Sequence, residues 1–102
     1  MNRHNAEAKD LVARGHKIKP VVIVSDKGLS DAVVAEIDSR LADHELIKVK
    51  IRAGSREARN AISGDICERT GAELVQQVGG VALLLRRSKQ PDPKLSNLIR
   101  RL

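Results

Sequence analysis

The chain has 102 residues, 19 Lys and Arg against 13 Asp and Glu for a formal charge of +6, and no Phe, Tyr or Trp. That length fits a single domain with one modest core. The missing aromatics exclude an RRM that stacks bases on its sheet and count against an aromatic OB-type platform. The positive surplus favours a polyanionic partner such as nucleic acid.

In chain order, residues 6–14 read as a short helix with Ala8, Leu11 and Val12 on one side, Asn5 as its cap and Gly15 as its stop. Pro20 then introduces Val21-Val22-Ile23-Val24, four β-branched residues that predict a strand buried on both faces. A loop, Ser25-Asp26-Lys27-Gly28, leads to Ser30, an N-cap for a helix that runs to about Ala42. Val33, Val34, Ile37 and Leu41 form its apolar stripe.

Leu46 to Ile51 alternates. Ile47, Val49 and Ile51 share one face, while Lys48 and Lys50 take the other, as a basic surface or simply a solvated strand edge. Gly54-Ser55 opens a helix carrying Ala58, Ala61, Ile62 and Ile66, which Thr70-Gly71 closes. Glu73 to Val78 and Val81 to Arg86 flank Gly79-Gly80, a two-residue hairpin signal. The unbroken apolar run Val81 to Leu85 places that strand inside the sheet. The predicted fold class is α/β: a mixed four-stranded sheet with packed helices in the order α-β-α-β-α-β-β.

A polar, basic C-terminal tail follows from residue 88, holding Pro91 and Pro93, after a domain of residues 1–87. Leu95, Leu98, Ile99 and Leu102 have helical spacing, which leaves the tail free either to dock or to stay loose. Charge is unevenly spread: residues 1–20 carry five bases and two acids, residues 87–102 five and one, and residues 21–42 two and four.

The chemistry legible here is binding, with no constellation for catalysis. His4, His16 and His44 are scattered, and Cys67 has no neighbour at metal-ligand spacing. No phosphate-binding GxxxxGK[ST] loop or GxSxG elbow occurs, and neither a cofactor nor a metal is expected. A lone cysteine, no membrane-length apolar run and no apolar leader core after Met1 point to a cytoplasmic protein away from membranes.

The loop at Ser25–Ser30 joins a strand to a helix N-terminus, a junction that suits phosphate, though an ordinary glycine turn has the same signature. Lys17 and Lys19 flank the Pro20 turn, Arg52 follows the second strand, and Arg56 and Arg59 begin the third helix.

Three stretches carry a resemblance: His16-Lys17-Ile18-Lys19-Pro20-Val21-Val22, Lys27-Gly28-Leu29-Ser30, and His44-Glu45-Leu46-Ile47-Lys48-Val49-Lys50. With Val78-Gly79 and the strand ending at Arg86, they resemble the YhbY-like family, the stand-alone bacterial form of the chloroplast RNA splicing and ribosome maturation (CRM) domain, over residues 6–87. The resemblance implies an RNA-binding domain similar in fold to the C-terminal domain of the third bacterial translation initiation factor. It implies association with the precursor of the large ribosomal subunit and a KH-like GxxG loop that clamps the RNA backbone.

That loop maps onto Ser25-Asp26-Lys27-Gly28, where Ser25 replaces the first Gly and Asp26 opposes a phosphate. Leu85 stands where the family usually has Tyr, which removes a stacking role. The expected RNA-contacting set is therefore Ser25, Asp26, Lys27, Gly28, Leu29 and Ser30, with Lys17, Lys19, Lys48, Lys50, Arg52, Arg56, Arg59 and Arg86 widening it. The expected protein is a monomer that reads backbone and shape on a pre-ribosomal particle. The alternative is an adaptor whose basic face docks an acidic protein.

Overall fold

The computed structural model describes residues 3–102, with side chains from residue 7 onward. The elements run α1 (Arg3–Gly15), β1 (Pro20–Val24), α2 (Asp31–His44), β2 (Leu46–Ile51), α3 (Arg56–Thr70), β3 (Glu73–Val78) and β4 (Val81–Leu85). The strands form one mixed sheet in the order β1-β2-β4-β3. The α2 crossover makes β1 and β2 parallel, whereas the hairpin makes β3 and β4 antiparallel and β4 inserts beside β2. The order of elements and the central place of β4 are as the residue pattern predicts.

Side-chain alternation along β2 builds a core on each face of the sheet. Ile47, Val49 and Ile51 pack with Val22, Val24, Ala82 and Leu84 under the stripe residues Ile37, Leu41 and Ile66 of α2 and α3. On the other face Leu46, Leu83 and Leu85 pack under Leu11 of α1, joined by the half-buried Ile18, Val75 and Leu98. Ser30 and Ser55 cap α2 and α3 as expected, their Oγ atoms accepting from Val33 N at 3.1 Å and Ala58 N at 3.0 Å.

Three expectations need correction. The start of α1 lies at Arg3, so Asn5 falls inside the helix rather than at its cap. Gly15 does end α1, as expected, and a Cβ there would lie 2.7 Å from the Leu83 side chain. The strand β1 is buried on one face only, with Val21 38% and Ile23 54% exposed. It is an edge strand, and α1 with the C-terminal segment covers the sheet beneath β2, β4 and β3 but not beneath β1. β-branched composition reports strand propensity, not how many faces are covered. Lastly, β2 is flanked on both sides, so Lys48 and Lys50 do not lie on a sheet edge.

The segment 88–102 forms turns against the domain, not a helix. Leu95 and Ile99 are exposed, Leu98 packs half-buried against the core, and the fully buried anchors are polar. Ser96 Oγ donates to Glu45 Oε1 at 2.7 Å, and Asn97 Nδ2 donates to Leu46 O at 2.7 Å. The Asn97 backbone N–H donates to His44 O at 2.9 Å, and the His44 ring nitrogen Nδ1 meets Leu95 O at 2.9 Å. A carbonyl only accepts, so that nitrogen carries the proton.

Candidate nucleic-acid interface

Two parallel strands followed by two helices bring three connections to one end of the sheet. Arg52 N donates to Val24 O at 2.8 Å, and Ile51 N donates to Gly80 O at 2.6 Å. The loop 25–30, the turn 52–55 and the hairpin tip at 79–80 are therefore neighbours. Ligands of open α/β sheets gather at such strand ends, because the following helices aim their N-termini there.

The helix starts are chemically open. In α2, Val33 N and Val34 N are taken by Ser30, and no described protein group accepts from the N–H of Asp31 or Ala32. In α3, Ala58 N and Arg59 N are taken by Ser55, which leaves the N–H of Arg56 and Glu57 in the same state. Four unpaired donors and two positive helix ends thus share one end of the molecule.

The loop itself is a closed turn. Gly28 N donates to Ser25 O at 3.0 Å and Lys27 N to Ser25 Oγ at 3.4 Å. The donors of positions 27 and 28 are thus spent within the turn, which narrows the expected phosphate grip to the Lys27 side chain and the helix beyond. Gly28 has φ +88° and open space where a Cβ would stand, so a side chain there would meet strain but no clash. Ser25 closes this turn with its hydroxyl as acceptor. Ser25, Asp26, Lys27 and Ser30 are exposed; Gly28 and Leu29 are half-buried, and Leu29 packs against the core under α2 and α3.

The structure divides the other predicted residues. Arg52, Arg56 and Arg59 lie at the loop end with Lys50, at the close of β2. Lys17 and Lys19 precede β1 at its far end, separated by a strand length of about 13 Å at the usual rise per residue. Lys48 lies between, half-buried on the face of β2 that carries Leu46. It lines a cavity of about 280 Å³ with His16, Gln76, Val78, Val81 and Leu83. Arg86 also sits at the far end and is held structurally. Its guanidinium donates to the Asp38 carboxylate, to Asp38 O at 3.0 Å and to Thr70 O at 2.8 Å, stapling α2 to the end of α3.

Ion pairing separates structural cations from available ones. Arg14, Arg69, Arg86 and Arg87 pair with Asp10, Asp31, Asp38 and Glu7. Lys17, Lys19, Lys27, Lys48, Lys50, Arg52 and Arg56 pair with no described carboxylate. Among the described residues no cluster of His, Cys, Asp and Glu is arranged to hold a metal. Burial pushes the Cys67 thiol above its ordinary value, so it stays protonated and poorly nucleophilic near neutrality.

Sequence reasoning missed Glu45. It is 3% exposed, has φ 63°, and its second carboxylate oxygen accepts from Ser88 N at 2.6 Å. A charged residue at a helix end gives no periodic signal that it turns inward.

Residues 4–86 match the CRS1 / YhbY (CRM) domain. A Pseudomonas aeruginosa protein named probable RNA-binding protein is 40% identical over 94 residues, 92% of this chain and 90% of its own length. An RNA-binding protein of Haemophilus influenzae is 40% identical over 80 residues, 78% of this chain and 81% of its own. The solution structure of a hypothetical protein from Staphylococcus aureus superposes with a TM-score of 0.74 at 27% identity, covering 83% of this chain and 88% of that one.

Proposed function

The chain belongs to the CRS1 / YhbY (CRM) domain family, and from that premise we propose that it is a cytoplasmic, non-enzymatic RNA-binding protein acting on the precursor of the large ribosomal subunit. It grips the sugar-phosphate backbone and has no aromatic side chain with which to stack bases. One observation carries this reading: unpaired N–H groups from two helix starts meet Lys27 and Arg52 at one end of the sheet, and neither cation has an ion-pair partner among the described residues. Phosphate is the ligand such a donor-rich, cationic end suits, because it offers several acceptors and a negative charge together.

The exposed Lys50 and the half-buried Lys48 extend the positive surface along β2. Lys17, Lys19 and the basic C-terminal segment add affinity from the far end without base readout. The test is ultraviolet crosslinking of the protein to RNA in cells, followed by sequencing of the attached fragments. A single enriched region of large-subunit RNA is expected. Fragments scattered over transfer and messenger RNAs would overturn the ribosomal assignment. An acidic protein that co-purifies after ribonuclease treatment, with no crosslinked RNA, would establish the adaptor reading instead.

A further inference from the structure

Beneath the β3–β4 hairpin lies a cavity of about 300 Å³ lined by Arg56, Arg59, Asn60, Gln77 and Gly79. Its polar lining lacks an acidic side chain. Arg59 Nε is buried and has no hydrogen-bond partner among the described residues, while its NH1 donates to Ala53 O at 3.3 Å. Ser63 Oγ lies 2.8 Å from the Gln77 side-chain amide and 3.1 Å from Asn60 O, so one hydroxyl hydrogen serves two acceptors and the amide keeps hydrogen-bonding capacity toward the pocket. Arg56 pairs with no described carboxylate. The pocket thus presents donors and positive charge with nothing to receive them, whereas buried donors in folded proteins are nearly always satisfied.

Shape sets the pocket as firmly as charge does. A Cβ on Gly80 would lie 2.7 Å from Ile51 O, so only glycine lets the hairpin come down on β2. The built Cβ also falls 3.8 Å from Arg59 Cδ, placing the arginine stem directly under the hairpin. The pocket therefore sits across β2 from the loop 25–28, two to three strands along the same end of the sheet.

We infer that this pocket is a second phosphate site, in which Arg59, Arg56 and the Gln77 amide receive a phosphodiester of the same RNA strand held at the loop. The inference rests on the RNA-binding reading and adds a direction to it: the backbone crosses the sheet end from β1 toward β3, over Arg52. A phosphate in the pocket meets the Arg59 guanidinium, which offers it parallel donors, and Nε gains an acceptor once the side chain turns to uncover it.

The experiment is a nitrogen-15 NMR titration of the full chain with a short oligouridylate, reading the Arg59 Nε–H and Gln77 side-chain signals, with a parallel titration using inorganic phosphate. Both signals should move with oligouridylate, together with the amides of residues 27–32. The decisive variant is Gln77→Glu, which keeps an oxygen for Ser63 and places a carboxylate beside the arginines. It should retain the parent melting temperature or exceed it, weaken oligouridylate binding, and flatten the log–log salt slope by about 0.7, the share of a single phosphate.

Loop amides that move while the Arg59 and Gln77 signals stay still would overturn this site and leave the RNA-binding reading intact. No binding of oligouridylate at all would sink both. Arg59 signals that move with inorganic phosphate but not with oligouridylate would assign the pocket to a free phosphate and overturn the strand path.

Discussion

At Glu45 two opposing energies meet, and their magnitudes give a signed prediction. Its φ of 63° lies in the left-handed region, which costs an L-residue about 1–2 kcal/mol. Against this, its buried carboxylate accepts from Ser96 Oγ at 2.7 Å and from Ser88 N at 2.6 Å. Hydrogen bonds to a charged acceptor contribute about 1.5–3 kcal/mol each. Glu45→Gly relieves the strain but orphans both donors. The predicted net loss is about 3 kcal/mol, a fall in Tm of roughly 12 °C or more at this chain length.

In a chain ending at Arg87 the carboxylate has neither serine to hold, so the same substitution should change sign and stabilise by about 1 kcal/mol. The assay is the thermal melt followed by far-ultraviolet circular dichroism, since a chain without aromatic residues offers no fluorescence or near-ultraviolet signal. A full-length Glu45→Gly protein that melts at or above the parent temperature would refute the reasoning, because strain would then outweigh the anchoring of the C-terminal segment.

Two further outcomes concern RNA. Lys27→Glu combined with Gly28→Asp should weaken binding to large-subunit RNA fragments at least about tenfold, or 1.4 kcal/mol, whereas Arg40→Glu on α2 should leave it unchanged; anisotropy titrations check both. The fold should survive the double change at a cost of about 1–2 kcal/mol, which the positive φ of Gly28 sets. With four to six phosphates engaged, log affinity should fall against log salt with a slope of about −3 to −4, and a slope near zero would exclude a backbone grip.

Local chemistry determined most of the fold. The β-branched run at Val21–Val24, the alternation from Leu46 to Ile51, Ser30 and Ser55 as caps and the Gly79-Gly80 turn each act over a few residues, so each was legible in the chain. The position of the loop 25–28 between a strand and a capped helix was legible for the same reason. Tertiary structure decided what depends on neighbours far along the chain. It left one face of β1 bare, placed β2 inside the sheet, and divided the basic residues between its two ends. Arg86 and Arg56 look alike as letters. One became a staple because Asp38 and the Thr70 carbonyl meet it across 48 and 16 residues, and the other has no ion-pair partner among the described residues. Glu45 turned inward because Ser88 and Ser96 return to it 43 and 51 residues later, and a hydrogen bond between groups so far apart leaves no trace in local pattern.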